Sequence, residues 1–382
     1  MFTKPPSPYE TTGTTTPIFI KHGRDAQSAQ PGQDYFLVRI HSAQAAFYGS
    51  IWQKDAQLLV ASHVNLHHPA LGNEPLYALR QSRPVERQQA IQLGLRPNLI
   101  NLVPAVMDRV SLSVDFILDS ENRLHDLAAL INDESFLAVV SLAPTGVVAA
   151  KIVAGLAQKV VATLLPTKER QPILQFSGDF TLPTGDLQEG YHVILGTCDD
   201  RTPLPTDLTR LEVEGTKLLY EEKPVTQWSY VILEVRCTQA RTRDLHEGAA
   251  WEAKLREAED TTAQIKGDPY SGDSERQTAW EKCRTLFMEA RALIRNDPNY
   301  LRTEAETIIK ASFNHCAKDL GAEHVHRGGI IKAARGSWQP DLGQDRSLFG
   351  IAPEEDLNTT LDTYADQIAA THRMMRELDM MK

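Results

Sequence analysis

Polar and apolar residues alternate with a period of two along much of the first two thirds of the chain, and the period lengthens to that of a helix in the last third. In YFLVRIH (35–41), Phe36, Val38 and Ile40 oppose Leu37 and Arg39, the pattern of a strand. Strands are also expected at 46–52 and 58–64. In VSLSVDFIL (110–118), Leu112, Val114, Phe116 and Leu118 oppose Ser111, Ser113 and Asp115. Between these segments, Pro69, Gly72, Pro75, Pro84 and Pro97 imply a long connection over 65–98, with at most a short helix near 85–91. After Pro172, strand patterns recur at 173–177, 179–182, 191–197, 209–214, 217–221 and 228–237. Turn-forming residues punctuate them at intervals of about ten residues, the rhythm of an antiparallel sandwich or barrel. WSYVILEVRC (228–237) is apolar on both faces near its centre and belongs in the middle of a sheet.

Two segments break this rhythm. Asp119 or Ser120 can cap a helix near 121–132, where Leu124, Leu127, Leu130 and Ile131 repeat at helical spacing. Residues 135–150 then carry no charge, and Pro144-Thr145-Gly146 leads into a run whose Val148, Ile152, Leu156, Val160 and Leu164 recur every fourth position. Its density of alanine and glycine predicts a helix over 147–165 buried on most of its circumference. Lys151 and Lys159 make it a poor membrane span, because a central lysine costs roughly 2.5–3.5 kcal/mol on insertion.

From about residue 241 the pattern is helical. Trp251, Leu255, Ala258, Thr262 and Ile265 form one stripe. Ser274 and Gln277 have capping-box spacing before a second stripe of Ala279, Cys283, Leu286, Phe287, Ala290, Leu293 and Ile294. Pro298 ends that helix. Asn299 can cap a third, with Ala305, Ile308, Ile309, Ser312, Phe313, Cys316 and Leu320 inward and Gly321 beyond its end. Residues 321–353 look irregular. A last helix runs from 353 to 380 on Leu357, Leu361, Tyr364, Ile368, His372, Met375 and Leu378. The expected fold is α+β and multidomain. A lead-in (1–16) precedes an antiparallel, β-sandwich-like body (17–240) enclosing the apolar helix, and an all-helical domain (241–382) follows.

Length and composition agree with two globular domains: 382 residues, 42% hydrophobic and 24% charged. The net charge of −10 is shared equally by residues 1–240 and 241–382, so neither part has the basic excess that duplex nucleic acid requires. Cys198, Cys237, Cys283 and Cys316 form no CxxC and no disulfide framework, and the N-terminus has no apolar signal region. A reducing cytoplasm is the expected compartment.

Four features are candidates for chemistry. His315, Cys316, His324 and His326 are metal-ligand types within twelve positions, but adjacent helical residues such as His315 and Cys316 diverge by about 100°. HVHRGGIIKAAR (324–335) offers Arg327, Gly328, Gly329, Lys332 and Arg335 as an anion loop, without the order of a P-loop. Asp179, Asp186, Asp199, Asp200 and Asp207 fall in or near turns, where a calcium site is conceivable and aspartate is common anyway. Ser62 and His63 are strand neighbours and face opposite ways, and His67-His68 has no nearby acid pair. GxSxG, HExxH and a dinucleotide fingerprint are all missing.

The expectation is therefore a non-catalytic scaffold or adaptor that binds protein partners and needs no cofactor. The alternatives are a membrane-active protein that releases 135–165 on a trigger, and a nucleotide- or metal-binding enzyme working through 315–335.

Overall fold

The structure is a computed structural model that describes residues 12–13, 18–21, 28–46, 57–67, 75–84, 91–93, 98–119, 170–181, 187–197, 203–241, 249–268, 271–320, 342–352 and 355–380. The helices expected near 121–132 and 147–165 lie outside these residues, as do 47–52 of the strand expected at 46–52. The chain divides into two compact units, Met1–Cys237 and Thr238–Lys382. The protein is of mixed α+β class: its sheets are antiparallel, and its α-helices, five among the described residues, lie in the C-terminal half.

The strands are β1 (Thr12–Gly13), β2 (Ile18–Lys21), β3 (Tyr35–Ala45), β4 (Gln57–Leu66), β5 (Pro75–Pro84), β6 (Ile91–Leu93) and β7 (Asn98–Pro104), followed by β8 (Arg109–Asp119), β9 (Arg170–Thr181) and β10 (Gly190–Thr197). Next come β11 (Leu211–Glu214), β12 (Lys217–Tyr220), β13 (Lys223–Pro224) and β14 (Ser229–Thr238). One sheet has the order β1-β10-β14-β3-β6, with β2 also on β10 and β7 also on β3. A second runs β5-β4-β8-β9 and a third β11-β12-β13. Strand β14 is central, and every side chain from Ser229 to Val235 is buried, as its two apolar faces predict.

Proline misleads the sequence reading twice. The stretch 65–98 is not one long connection, because it holds β5 and β6. Pro75 and Pro84 are the terminal residues of β5, an edge strand where a missing N–H costs no ladder bond. Likewise 173–177 and 179–182 belong to a single strand, β9. Pro172 sits within it, on the outer edge and at a shift in register opposite Phe116 and Ile117.

On the large sheet, Tyr191, Val193 and Leu195 pair across the ladder with Glu234, Ile232 and Tyr230 and so share one face. Leu211, Leu218, Val225 and Trp228 from the small sheet and its flanks pack onto that face. Glu234 lies on the same face, completely buried among cations. Arg39 Nε donates to its Oε2 at 2.7 Å and Arg236 Nε to its Oε1 at 2.8 Å. His41 Nδ1 also reaches Oε2, at 3.1 Å, while its Nε2 meets the Gly215 carbonyl at 2.6 Å. Its two nitrogens thus bridge the Glu234 carboxylate and a backbone carbonyl. Gly215 forms the β11–β12 turn at φ 58°, a left-handed conformation that suits glycine. His41 therefore ties the small hairpin to the large sheet.

The second turn of the small sheet is less well suited. Glu221 and Glu222 join β12 to β13 with φ of 52° and 64°. Two consecutive left-handed residues favour Asn-Gly, and a side chain there costs roughly 1–2 kcal/mol.

In the second unit the helices are α1 (Ala250–Gly267), α2 (Asp273–Arg295), α3 (Arg302–Asp319), α4 (Leu342–Leu348) and α5 (Leu357–Met380). Trp251, Leu255, Ala258, Cys283, Phe287, Ile309 and Phe313 belong to one apolar core. Trp280 stands edge-on to Phe313 at 5.3 Å, and Phe349 edge-on to Phe287 at 5.7 Å. Trp280 Nε1 donates to Asp345 of α4 at 2.7 Å. The period-based stripe on α2 omits Trp280 and includes Leu293, which is exposed. The cap of helix α2 is Gly272, two residues before the expected Ser274: the Gly272 N–H donates to Glu275 Oε2 at 2.9 Å. Asn299 does not cap α3, which Leu301 precedes; its N–H goes to Asp297 Oδ1 at 3.0 Å. Helix α4 also falls within the stretch 321–353 that reads as irregular.

Burial alone would raise the Glu234 carboxyl, but the His41 hydrogen bond and the Arg39 and Arg236 charges hold it at about 2, against 4.5 for a free glutamate. A depressed carboxylate stabilises the fold above its unfolded value and loses that effect as pH falls. About 3 kcal/mol should therefore disappear between pH 4.5 and 2, seen as a falling denaturant midpoint with accelerated amide exchange in β3 and β14. Glu234→Gln should cost about 3–5 kcal/mol at neutral pH. Conversely, Glu222→Gly should stabilise the fold by about 1 kcal/mol, read as a higher denaturant midpoint, since glycine relieves the left-handed turn.

Candidate functional site

Helices α1, α3 and α5 do not close completely on one another. Between them lies a cleft of about 350 Å³, lined by Trp251, Leu255, Ile308 and Ile368 together with Glu252, Arg256, Glu259, Ser312, His315 and Tyr364. An adjoining hollow of about 390 Å³ shares Glu259, Ser312, His315, Tyr364 and Ile368 and extends to Lys318, Leu361 and Ala365. The helical period explains the lining. On α1 and α3 the core stripe has a shoulder, Glu252-Arg256-Glu259 and Ile308-Ala311-His315, which falls at the seam. On α5, Leu361, Tyr364 and Ile368 are half-buried rather than enclosed.

The cleft's polar groups are mutually engaged. Ser312 Oγ donates to Glu259 Oε1 at 3.0 Å. Tyr364 donates to Glu304 Oε1 at 3.1 Å, and the same oxygen accepts from the Arg241 N–H at 2.9 Å. Burial first, and then the charge of Glu304, push the Tyr364 phenol up from its ordinary range. His315 is exposed at the rim, with Nε2 3.6 Å from Asp319, whose Oδ1 accepts from Lys266 Nζ at 2.7 Å. With Ser312's proton directed at Glu259, no imidazole is set to receive it. The cleft offers apolar walls and a rim of both charges.

A second polar cluster occupies the four-stranded sheet. His67 Nε2 lies 2.8 Å from Ser111 Oγ, which donates to Asp179 Oδ1 at 2.6 Å. Arg109 Nη1 pairs with the other Asp179 oxygen at 3.3 Å. The residue types are those of a hydrolytic triad, but their order is not. An ionised Asp179 can only accept, so Ser111 spends its single proton there and His67 must donate to Ser111. The imidazole therefore cannot serve as the base for this hydroxyl.

The candidates named from sequence lie partly outside the described residues. His315 and Cys316 are neighbours on α3 that diverge, the first exposed at the cleft and the second at 0% exposure in the core. His324, His326, Arg327, Gly328, Gly329, Lys332 and Arg335 lie outside the described residues, as do Asp186, Asp199 and Asp200. Asp207 caps a short 3-10 turn (Leu208–Arg210) and pairs with Arg210, and Asp179 is held as above. Among the described residues no group of three or more His, Cys, Asp or Glu side chains is placed to hold a metal ion. Nor is any helix among them long and apolar enough to cross a membrane.

No protein-family model matches the chain, and no curated protein or solved structure is significantly similar to it. Fold and site together define a class: a mixed α+β protein with antiparallel sheets and a helical C-terminal half that carries an amphiphilic cleft.

The hydrogen-bond order at Ser111 makes a prediction of its own. A fluorophosphonate probe, which labels activated serines, should leave Ser111 unmodified. Labelling there that Asp179→Asn or His67→Ala abolishes would show the hydroxyl to be activated after all.

Proposed function

We propose that the protein is a non-catalytic adaptor whose helical unit binds a partner protein in the α1–α3–α5 cleft, with the β-rich body as a sandwich-like support. One observation carries this reading: the cleft combines apolar walls from three helices with a rim that carries both Glu252 and Glu259 and Arg256 and Lys318. A groove between helices takes an amphipathic helix through anchors at i, i+3/i+4 and i+7, and a rim of both signs selects a partner with charges beside those anchors. The hydroxyls nearest the cleft have their protons committed, which favours binding over turnover.

The test is selection of amphipathic helical peptides from a displayed library on the purified full chain. Ala311→Arg, which places a long charged side chain in the cleft, should weaken the selected peptides ten-fold or more, about 1.4 kcal/mol, with the thermal midpoint unchanged. Peptides that bind the variant and the unaltered chain equally would end the proposal.

A further inference from the structure

Each basic side chain lining the cleft is engaged elsewhere, and Glu259 is left without a cation among the described residues. Arg256 gives Nη2 to Glu252 Oε1 at 2.9 Å, one turn away on α1. Lys318 donates to Asn358 Oδ1 at 3.3 Å, and His315 turns Nε2 toward Asp319 at 3.6 Å. Elsewhere on α1, Glu257 holds Lys282 at 3.0 Å. Glu252 and Glu257 thus have their cations, and Glu259 between them in the cleft does not.

Glu259 is also held in place. Its Oε1 accepts from the hydroxyl of Ser312 at 3.0 Å, and Ser312 is buried on α3. Its Oε2 has no hydrogen-bond partner among the described residues. The side chain is half-buried and lines both hollows, the one acid common to their linings. Trp251, Leu255, Ile308 and Ile368 line the same space, and the Tyr364 hydroxyl that could have served it is given to Glu304. A glutamate in open water needs no partner. One tethered beside apolar walls has lost part of its hydration and attracts a cation more strongly, because the effective dielectric there is lower.

We propose that the partner helix seated in the cleft carries a lysine among its apolar anchors, and that its ammonium group pairs with Glu259. This inference rests on the docking reading above and names the chemistry of the partner. Lysine suits the space on two counts. Its four-carbon stem is apolar and lies along apolar walls, while the ammonium at its tip needs only a single acceptor. Arginine presents a fork that matches both oxygens of a carboxylate, and at Glu259 one of these already accepts from Ser312.

The experiment selects amphipathic helical peptides on the full chain from a displayed library randomised at the inward positions. The strongest binders should keep a lysine beside their apolar anchors. In one such peptide, replacing that lysine by uncharged norleucine should weaken binding about ten-fold or more against the unaltered chain, and hardly at all against Glu259→Gln. Glutamine still offers Ser312 an acceptor, so the thermal midpoint of the variant should stay where it was. A carbodiimide, which joins paired amines and carboxylates, should link the peptide lysine to Glu259 in the unaltered chain, a measurement that needs no variant. Equal losses against both proteins, binders without an inward lysine, or a crosslink at Glu252 instead would overturn the pairing and leave docking in the cleft intact. Selection of no peptide at all would remove the docking reading, and this inference with it.

Discussion

A carboxylate with no access to water sets the terms for the β-rich unit. Removing Glu234 from solvent costs several kcal/mol, and that cost is met only while its hydrogen-bonding partners stay in place. Those partners come from separate parts of the sheet: Arg39 and His41 from β3, and Arg236 from β14 itself. Through the far nitrogen of His41 the network reaches the β11–β12 turn at Gly215. A one-residue slip of β14 would carry Glu234 to the opposite face and leave Arg39 and His41 facing apolar Leu233 or Val235. The network thus penalises wrong registers more than it stabilises the right one. An all-apolar β14, free to slide by two residues, would carry no such penalty.

The helical unit is organised on the opposite basis. Its core is aromatic and aliphatic, and polar groups enter singly, each with a partner: Trp280 with Asp345, and Glu304 with Tyr364 and the Arg241 N–H. Helix α5 is attached at a few points, through Tyr364 and through Thr371, whose hydroxyl donates to the Ala240 carbonyl at 2.8 Å. Between these tethers its apolar residues stay half-exposed, and the cleft is the space that remains. Loose packing of one helix against two tight ones is thus the physical origin of the candidate site.

What could be read from residues alone follows the same division. Periodicity located α1, α2, α3 and α5 and placed Tyr364 and Ile368 on the inner side of α5, so part of the cleft lining was legible. Strands with alternating faces, such as β8, were legible too. Proline was over-read: at Pro75, Pro84 and Pro172 the decisive fact is edge position in a sheet, which depends on distant pairing. Trp280 was missed because a wide aromatic reaches the core from the flank of a stripe, and α4 because a seven-residue helix carries little period. The polar clusters were out of reach for a different reason. Glu234 lies 195 residues from Arg39, and Ser111 lies 44 from His67 and 68 from Asp179, with no local spacing to connect them.

Those distant clusters also explain why residue types alone mislead about chemistry. Ser111 and Ser312 each have a carboxylate within hydrogen-bond reach, and a search by composition would count both as nucleophiles with a base. A serine has one proton. Given to an ionised aspartate or glutamate that accepts but does not relay, it yields an anchored hydroxyl, and activation requires an imidazole in between. His67 is on the wrong side of Ser111 for that, and the imidazole of His315 turns toward Asp319. The arrangement that would convert either cluster into a catalyst differs from the observed one by the position of a single ring. At Ser111 that ring instead holds the hydroxyl from the far side, and on α3 it faces Asp319 at the cleft rim.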